Sequence, residues 1–176
     1  MVKEMARRIK IPDGVDVEIA ESEITVAGPL GNLSRVLRYP GIDIKKDDSY
    51  LVVYSKLARK RQKAMMGTIA AHISNMIHGV TRGFEYKMKV VYSHFPIQLK
   101  ATKDELIISN FLGERKPRVA KVVGDSKVEV RGDEVVITGT DRDSVGQTMA
   151  NIEQATKIRG FDIRIFQDGV YLVSKG

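Results

Sequence analysis

VDVEIAESEITVAGPLG, residues 15–31, lies without gaps over IQLKATKDELIISNFLG, residues 97–113, at an offset of 82. Identities are few: Glu23 with Glu105, Leu30 with Leu112 and Gly31 with Gly113. The alternation and the turn nevertheless fall at the same places. Val15, Val17 and Ile19 alternate with acidic residues, Glu21-Ser22-Glu23 turns, and Ile24 and Val26 flank Thr25, which is hairpin patterning with one buried face. Outward from this pair the correspondence continues, since IDIKKDDSYLVVYS at 42–55 matches VEVRGDEVVITGT at 128–140. A helical segment ending at Gly79 then matches one ending at Gly160. Three elements in one order at nearly one offset are the mark of a duplication.

The first helix is expected from about Lys56 to His78, with Met66, Ile69, Ile73, Met76 or Ile77, and Val80 at spacings of three and four and Gly79 as its stop. The second starts at Thr140 or Asp141, either able to cap, and runs through Val145, Met149 and Ile152 to a stop at Gly160. Each half is thus two hairpins and an amphipathic helix, which can bury its stripe only on the sheet. The fold class is α+β: two tandem duplicated domains, residues 1–82 and 83–176, each an antiparallel sheet packed against one helix. The second adds a hairpin from Asp162–Phe166 to Val170–Val173 through Gln167-Asp168-Gly169.

With 43% hydrophobic and 29% charged residues, the 176-residue chain has a globular composition. The weakly polar stretch from Leu57 to Val80 is too interrupted to cross a bilayer, and charges recur too often up to Lys10 for a signal peptide. The absence of cysteine excludes a disulfide framework and thiolate chemistry, and fits a reducing compartment. The 29 basic residues outnumber 22 acidic ones, a net charge of +7 that points to a polyanion. Residues 1–82 hold +5 of it and residues 83–176 hold +2, and no acid occurs from Ser49 through Phe84.

Catalytic and metal constellations are not expected. His72 and His78 are six apart on a helix and face different directions. Asp47-Asp48, Asp104-Glu105 and Asp133-Glu134 fall at hairpin turns, where Asp serves the backbone. Gly28-Pro-Leu-Gly31 lacks the lysine and spacing of a phosphate loop and reads as a strand exit with turn glycines.

Three basic clusters remain. Lys56, Arg59, Lys60, Arg61 and Lys63 crowd a helix N-terminus, where the macrodipole disfavours cations, so they are either a solvated face or a polyanion site. Arg115, Lys116, Arg118 and Lys121 are expected on a flexible loop after the first hairpin of the second domain, suited to a phosphate backbone. Lys157, Arg159, Arg164 and Lys175 bracket the final hairpin. Phe161, directly after Gly160, either stacks on a base from an exposed tip or packs as a core aromatic.

The segment QATKIRGFDIRIFQDGVYLVSK, residues 154–175, resembles the C-terminal signature of the ribosomal large-subunit protein six family, archaeal and eukaryotic type. Gln154, Arg164, Phe166, Asp168, Gly169, Tyr171 and Lys175 carry the pattern, and the likeness extends over essentially the whole chain, including Gly28-Pro-Leu-Gly31 and the basic helix start from Arg59 to Lys63. Members usually carry a basic residue where this chain has Phe161, and often another where it has Ile165. The resemblance implies two duplicated α+β domains and a structural, non-catalytic role. It implies binding to large-subunit ribosomal RNA near the base of the stalk, in support of the translation-factor region, with the second domain as the main RNA contact. Neighbouring large-subunit proteins are the other partners implied, in a cytoplasmic, ribosome-bound particle without cofactor, metal, membrane or small-molecule substrate. The alternative is a non-ribosomal RNA-binding or RNA-processing protein with a basic face.

Overall fold

The structure is a computed structural model that describes residues 5–21, 23–56 and 59–176. The chain divides into two compact units, Met1–Gly83 and Phe84–Gly176. In the first, β2 (Asp16–Ala20), β3 (Glu23–Gly28) and β4 (Gly31–Val36) form one antiparallel sheet; β1 (Met5–Lys10), β5 (Asp43–Asp47) and β6 (Tyr50–Ser55) form another in the order β1-β6-β5. Helix α1 (Lys60–Thr81) follows. Its apolar stripe, Met66, Ile69, Ile73, Met76, Ile77 and Val80, packs with Val17, Ile24, Val26, Leu51 and Val53 of the strands into a single core.

The second unit repeats the plan. Strands β8 (Gln98–Ala101), β9 (Glu105–Ser109) and β10 (Arg118–Lys121) form the first sheet, with a 3-10 turn at Phe111–Gly113 where the first unit has its Gly28-to-Gly31 turn. Strands β7 (Phe84–Val91), β11 (Lys127–Arg131) and β12 (Glu134–Gly139) repeat the second sheet, extended by β13 (Gly169–Lys175) to the order β11-β12-β7-β13. Helix α2 (Arg142–Ala155) closes a separate core with Val145 and Ile152. Each domain's antiparallel layer is therefore split into two ladders that share one helix. The strands β1, β4, β7 and β10 complete these ladders beyond the hairpins expected from sequence. In β7 the alternation is strict: Phe84, Tyr86, Met88 and Val90 are buried, and Glu85, Lys87, Lys89 and Val91 exposed.

Several boundaries differ from the sequence reading, each for a physical reason. Gly79 is buried inside α1, and the helix stops two residues after it, at Thr81. The stop is Gly83, whose φ of +75° lets its N–H reach back to the carbonyls of His78 and Gly79. Helix α2 ends at Ala155 rather than Gly160: Thr156 leaves the helical region at φ −95° and ψ 14°, Lys157 N–H donates to the Gln154 carbonyl at 3.3 Å, and Gly160 (φ +79°) turns the loop beyond. The expected third hairpin is absent. Asp162–Phe166 is a turn, closed by Phe166 N–H donating to Asp162 O at 2.9 Å, and β13 instead pairs antiparallel with β7. Residues Ser22, in an expected turn, and Leu57 and Ala58, in the first basic cluster, lie outside the described residues.

Both helices must find donors for the carbonyls of their last turn. In the first unit the turn between β3 and β4 does this: Leu30 N–H donates to Val80 O at 2.9 Å. The approach requires glycine, since a Cβ on Gly28 would lie 2.6 Å from Val80 Cγ2 and 2.9 Å from its carbonyl oxygen. This contact is what the GPLG stretch supplies. In the second unit the donor is Arg118, on β10. One Nη donates to Ala155 O and Lys157 O, each at 2.9 Å, while Nε and the other Nη grip both carboxylate oxygens of Glu114 at 2.8 and 2.6 Å. The guanidinium lies 4.2 Å from the ring centre of buried Phe111. At its other end α2 is capped by Asp141, whose carboxylate accepts from Ser144 N–H at 3.1 Å and from Ser144 Oγ at 2.6 Å.

Gly28→Ala is expected to destabilise the first unit by about 1–3 kcal/mol through overpacking, whereas Gly146→Ala, mid-helix and with nothing within 4 Å of the added Cβ, is expected to stabilise by about 1 kcal/mol. Urea unfolding of the two variants checks both signs. The hydrogen bonds from Arg118 hold the Glu114 carboxyl below its ordinary pKa of 4.5. Such a group adds stability above its unfolded-state pKa, and that stability is lost as pH falls through the depressed folded-state value. Glu114→Gln should therefore lower the melting temperature at neutral pH and approach wild type in acid. The difference should be small, because the carboxylate is 40% exposed.

Candidate nucleic-acid interface

Among the described residues no group of three or more His, Asp or Glu side chains is placed to hold a metal ion. His72 Nδ1 accepts from Arg35 Nη1 at 3.1 Å, which occupies one of its ring nitrogens. The paired acids occupy turns, with Asp48 at φ +40° between β5 and β6. A cavity of about 670 Å³ in the first unit is lined by Leu37, Tyr39, Ile42 and Tyr54 together with Glu21, Arg38, Asp43 and Lys45, a mixed apolar and charged surface.

The basic residues are distributed less evenly than their sequence clusters suggest. Arg59, Lys60, Arg61 and Lys63 are all exposed around the start of α1. Arg59 occupies the N-cap without a side-chain cap bond, and the first turn holds no acid, so no carboxylate of that turn offsets the cations or the helix end. Arg61 lies 5.9 Å from the centre of the Tyr39 ring.

In the second unit two clusters become one. Arg115 and Lys116 are exposed in the connection to β10, and Lys157 and Arg159 are exposed just past α2. Arg118 binds Glu114 on one side and the Lys157 carbonyl on the other, so it draws the two stretches together. The expectation of a flexible loop at 115–121 is corrected accordingly: Arg118 and Lys121 belong to β10. Four N–H groups of Arg118 are engaged within the chain and its side chain is only 20% exposed, so its role is to position its neighbours. Lys121 is exposed, with its carbonyl taken by Asn151 Nδ2 at 2.9 Å.

Beyond Arg159, Phe161 is exposed, and Arg164 extends into solvent with 90% of its side chain accessible. Its backbone N–H donates to Asp162 Oδ1 at 3.0 Å, which fixes the turn, while its guanidinium makes a long ion pair of 3.9 Å with the same carboxylate. Lys175 is not part of this group. It lies at the far end of β13, roughly 20 Å along the strand from Gly169 at about 3.3 Å per residue, with its ammonium 5.7 Å from the Tyr86 ring centre. The second unit thus gathers Arg115, Lys116, Lys157, Arg159 and Arg164 around a rigid support.

Sequence reasoning overlooked the apolar surface beside these cations. Ile158, Ile163, Phe166, Val170 and Tyr171 line a groove of about 490 Å³ between the end of α2 and the start of β13. Asp162–Phe166 reads in sequence as a hairpin arm; the turn formed there instead leaves Ile163 and Ile165 68% and 74% exposed. The signal available was the Asp162-to-Phe166 spacing of a side-chain-capped turn.

The sequence profile described as Ribosomal protein L6 matches twice, at residues 11–83 and 95–169. Among curated proteins, the chain is 62% identical to the large ribosomal subunit protein uL6 of Methanothrix thermoacetophila, over 99% of each chain. It is 59% identical to that of Methanobrevibacter smithii, over 95% of this chain and 94% of the relative, and 53% identical to that of Methanosarcina mazei, over 99% of each. The two profile matches fall one on each helix-backed unit, and the relatives align across both, so the chain belongs to the ribosomal protein L6 family.

Proposed function

We propose that the chain is a structural constituent of the large ribosomal subunit that binds large-subunit ribosomal RNA near the base of the stalk and supports the region where translation factors engage. Members of a structural ribosomal family act by binding, and the chain is not an enzyme. The observation that carries the RNA-binding part is the set of exposed cations, Arg115, Lys116, Lys157, Arg159 and Arg164, gathered on the second unit by the Arg118 clamp. Their phosphate contacts would supply affinity and register, while the rigid turns around them fit an RNA tertiary surface by shape. The second unit is accordingly the main RNA contact. The cations at the start of α1 extend the reading to the first unit, because a phosphate there would be favoured by both the side chains and the helix dipole.

Reversing Arg159 and Arg164 to Glu should weaken binding to large-subunit RNA at least about tenfold and lower the slope of log affinity against log salt by about two. Reversing Lys103 and Lys127, exposed elsewhere on the same unit, is the charge-matched control and should change the affinity far less. Equal losses in filter-binding titrations would mean that the charge acts only in bulk. The location near the stalk is tested separately, by crosslinking within assembled large subunits: crosslinks confined to RNA remote from the stalk would refute it.

A further inference from the structure

The groove beside the second unit's cations has features that phosphate binding does not use. Its walls are apolar side chains, Ile158, Ile163, Phe166 and Val170, with the Tyr171 ring, and the exposed Gln154 and Gln167 stand at its rim. Phe161 flanks it. Its ring is 4.9 Å from that of Phe166, the two planes inclined at 52°, yet the residue remains 51% exposed, so much of its surface is open to a further partner.

The groove is also held in shape before anything binds. Arg118 fixes the carbonyls of Ala155 and Lys157. Val170 N–H donates to Thr156 Oγ1 at 3.2 Å, and the Tyr171 hydroxyl donates to Gln167 O at 3.0 Å. Asp162 closes the turn that presents Phe161, Ile163 and Arg164. A preformed apolar recess loses little ordering entropy when it is filled.

What fills it is indicated by charge. Lys157 lines the recess together with Glu153, the exposed Arg159 and Arg164 directly follow its lining residues Ile158 and Ile163 in the chain, and Arg164 makes only a 3.9 Å approach to Asp162. An apolar slot with Lys157 in its wall and Arg159 and Arg164 next to its wall residues in the chain matches a nucleotide taken out of a helix, whose base has an apolar face and whose phosphates are anionic. A paired base has its faces stacked inside the duplex and cannot enter. We propose that the groove beside Phe161 and Phe166 receives an unpaired RNA base from a loop or bulge, stacked on Phe161, with the adjoining phosphates on Lys157, Arg159 and Arg164. This rests on the RNA-binding reading above and narrows it from a surface fitted by shape to a site for a splayed nucleotide.

The test uses the full chain, an eight-nucleotide single-stranded RNA carrying 2-aminopurine, a sixteen-base-pair blunt RNA duplex, and a large-subunit RNA transcript. Phe161→Ala should weaken binding to the single strand about tenfold, the scale of one lost stacking contact, while the duplex affinity changes less than about twofold. Phe161→Tyr should restore the single-strand affinity, and wild-type binding should alter the 2-aminopurine fluorescence. Phe161→Lys separates stacking from charge: it adds a cation and removes the ring, so a stacking site loses single-strand affinity where a purely electrostatic surface gains it. A Phe161→Lys protein that binds the single strand as tightly as wild type overturns the proposal, as does an equal loss on strand and duplex with Phe161→Ala. If Phe161→Ala leaves every RNA affinity intact but releases a neighbouring protein from the large subunit, the groove is a protein contact and the proposal fails. Failure of the wild-type chain to bind the transcript would instead refute the RNA-binding reading itself.

Discussion

The last turn of a helix leaves carbonyls without helical partners, and both units of this chain satisfy them from the same part of the first sheet, in the first unit from the turn between its second and third strands and in the second from the first residue of its third strand. In the first unit the backbone does it, through Leu30 and the close approach at Gly28. In the second, Phe111 fills the corresponding turn, and Arg118, four residues past the turn's closing Glu114, crosses over its ring to reach Ala155. Without these contacts neither helix end would be fixed against the first sheet, and the shared core would lose one of its walls. The duplication thus preserved a problem and allowed two chemical answers.

The second answer has the larger functional consequence. A main-chain N–H can only close a helix, whereas a guanidinium has donors left over. Arg118 uses them on Glu114 and on Lys157, outside the helix, and so determines where the exit loop begins. The basic residues that follow, Arg159 and Arg164, stand in a loop tied at both ends, by Arg118 at its start and by β13 against β7 at its finish. Net charge describes this poorly. The first half of the chain holds most of the excess, while the second half, close to balance, holds the cations with the most built surroundings.

Much of this was legible before any coordinates. The offset of 82 was visible because period-two alternation and turn residues are local signals, and both repeats kept them. The helices were legible from their spacing, though not their ends: the choice between Gly79 and Gly83 depends on which of them adopts positive φ, and both satisfy the same local pattern. The failures concern partners distant in sequence. Asp162–Phe166 and Val170–Val173 look like the arms of a hairpin, but β7, some eighty residues earlier, outcompetes the nearer arm for β13. Likewise, Arg115, Lys116 and Arg118 are indistinguishable as letters in a basic run. Only the fold shows that Arg118 faces two carbonyls and a carboxylate while its neighbours face water.

The pairing of β13 with β7 also orders events in time. The first unit is complete once Gly83 has been made, so it can fold while synthesis continues. The second cannot, because its opening strand waits for residues 169–175 to cover one edge, and Val170 and Tyr171 of that strand are themselves walls of the groove. A chain interrupted after α2 would carry most of the basic residues and an open strand edge prone to mispairing, but no finished recess. The groove of this unit therefore comes into being only when β13 has paired with β7.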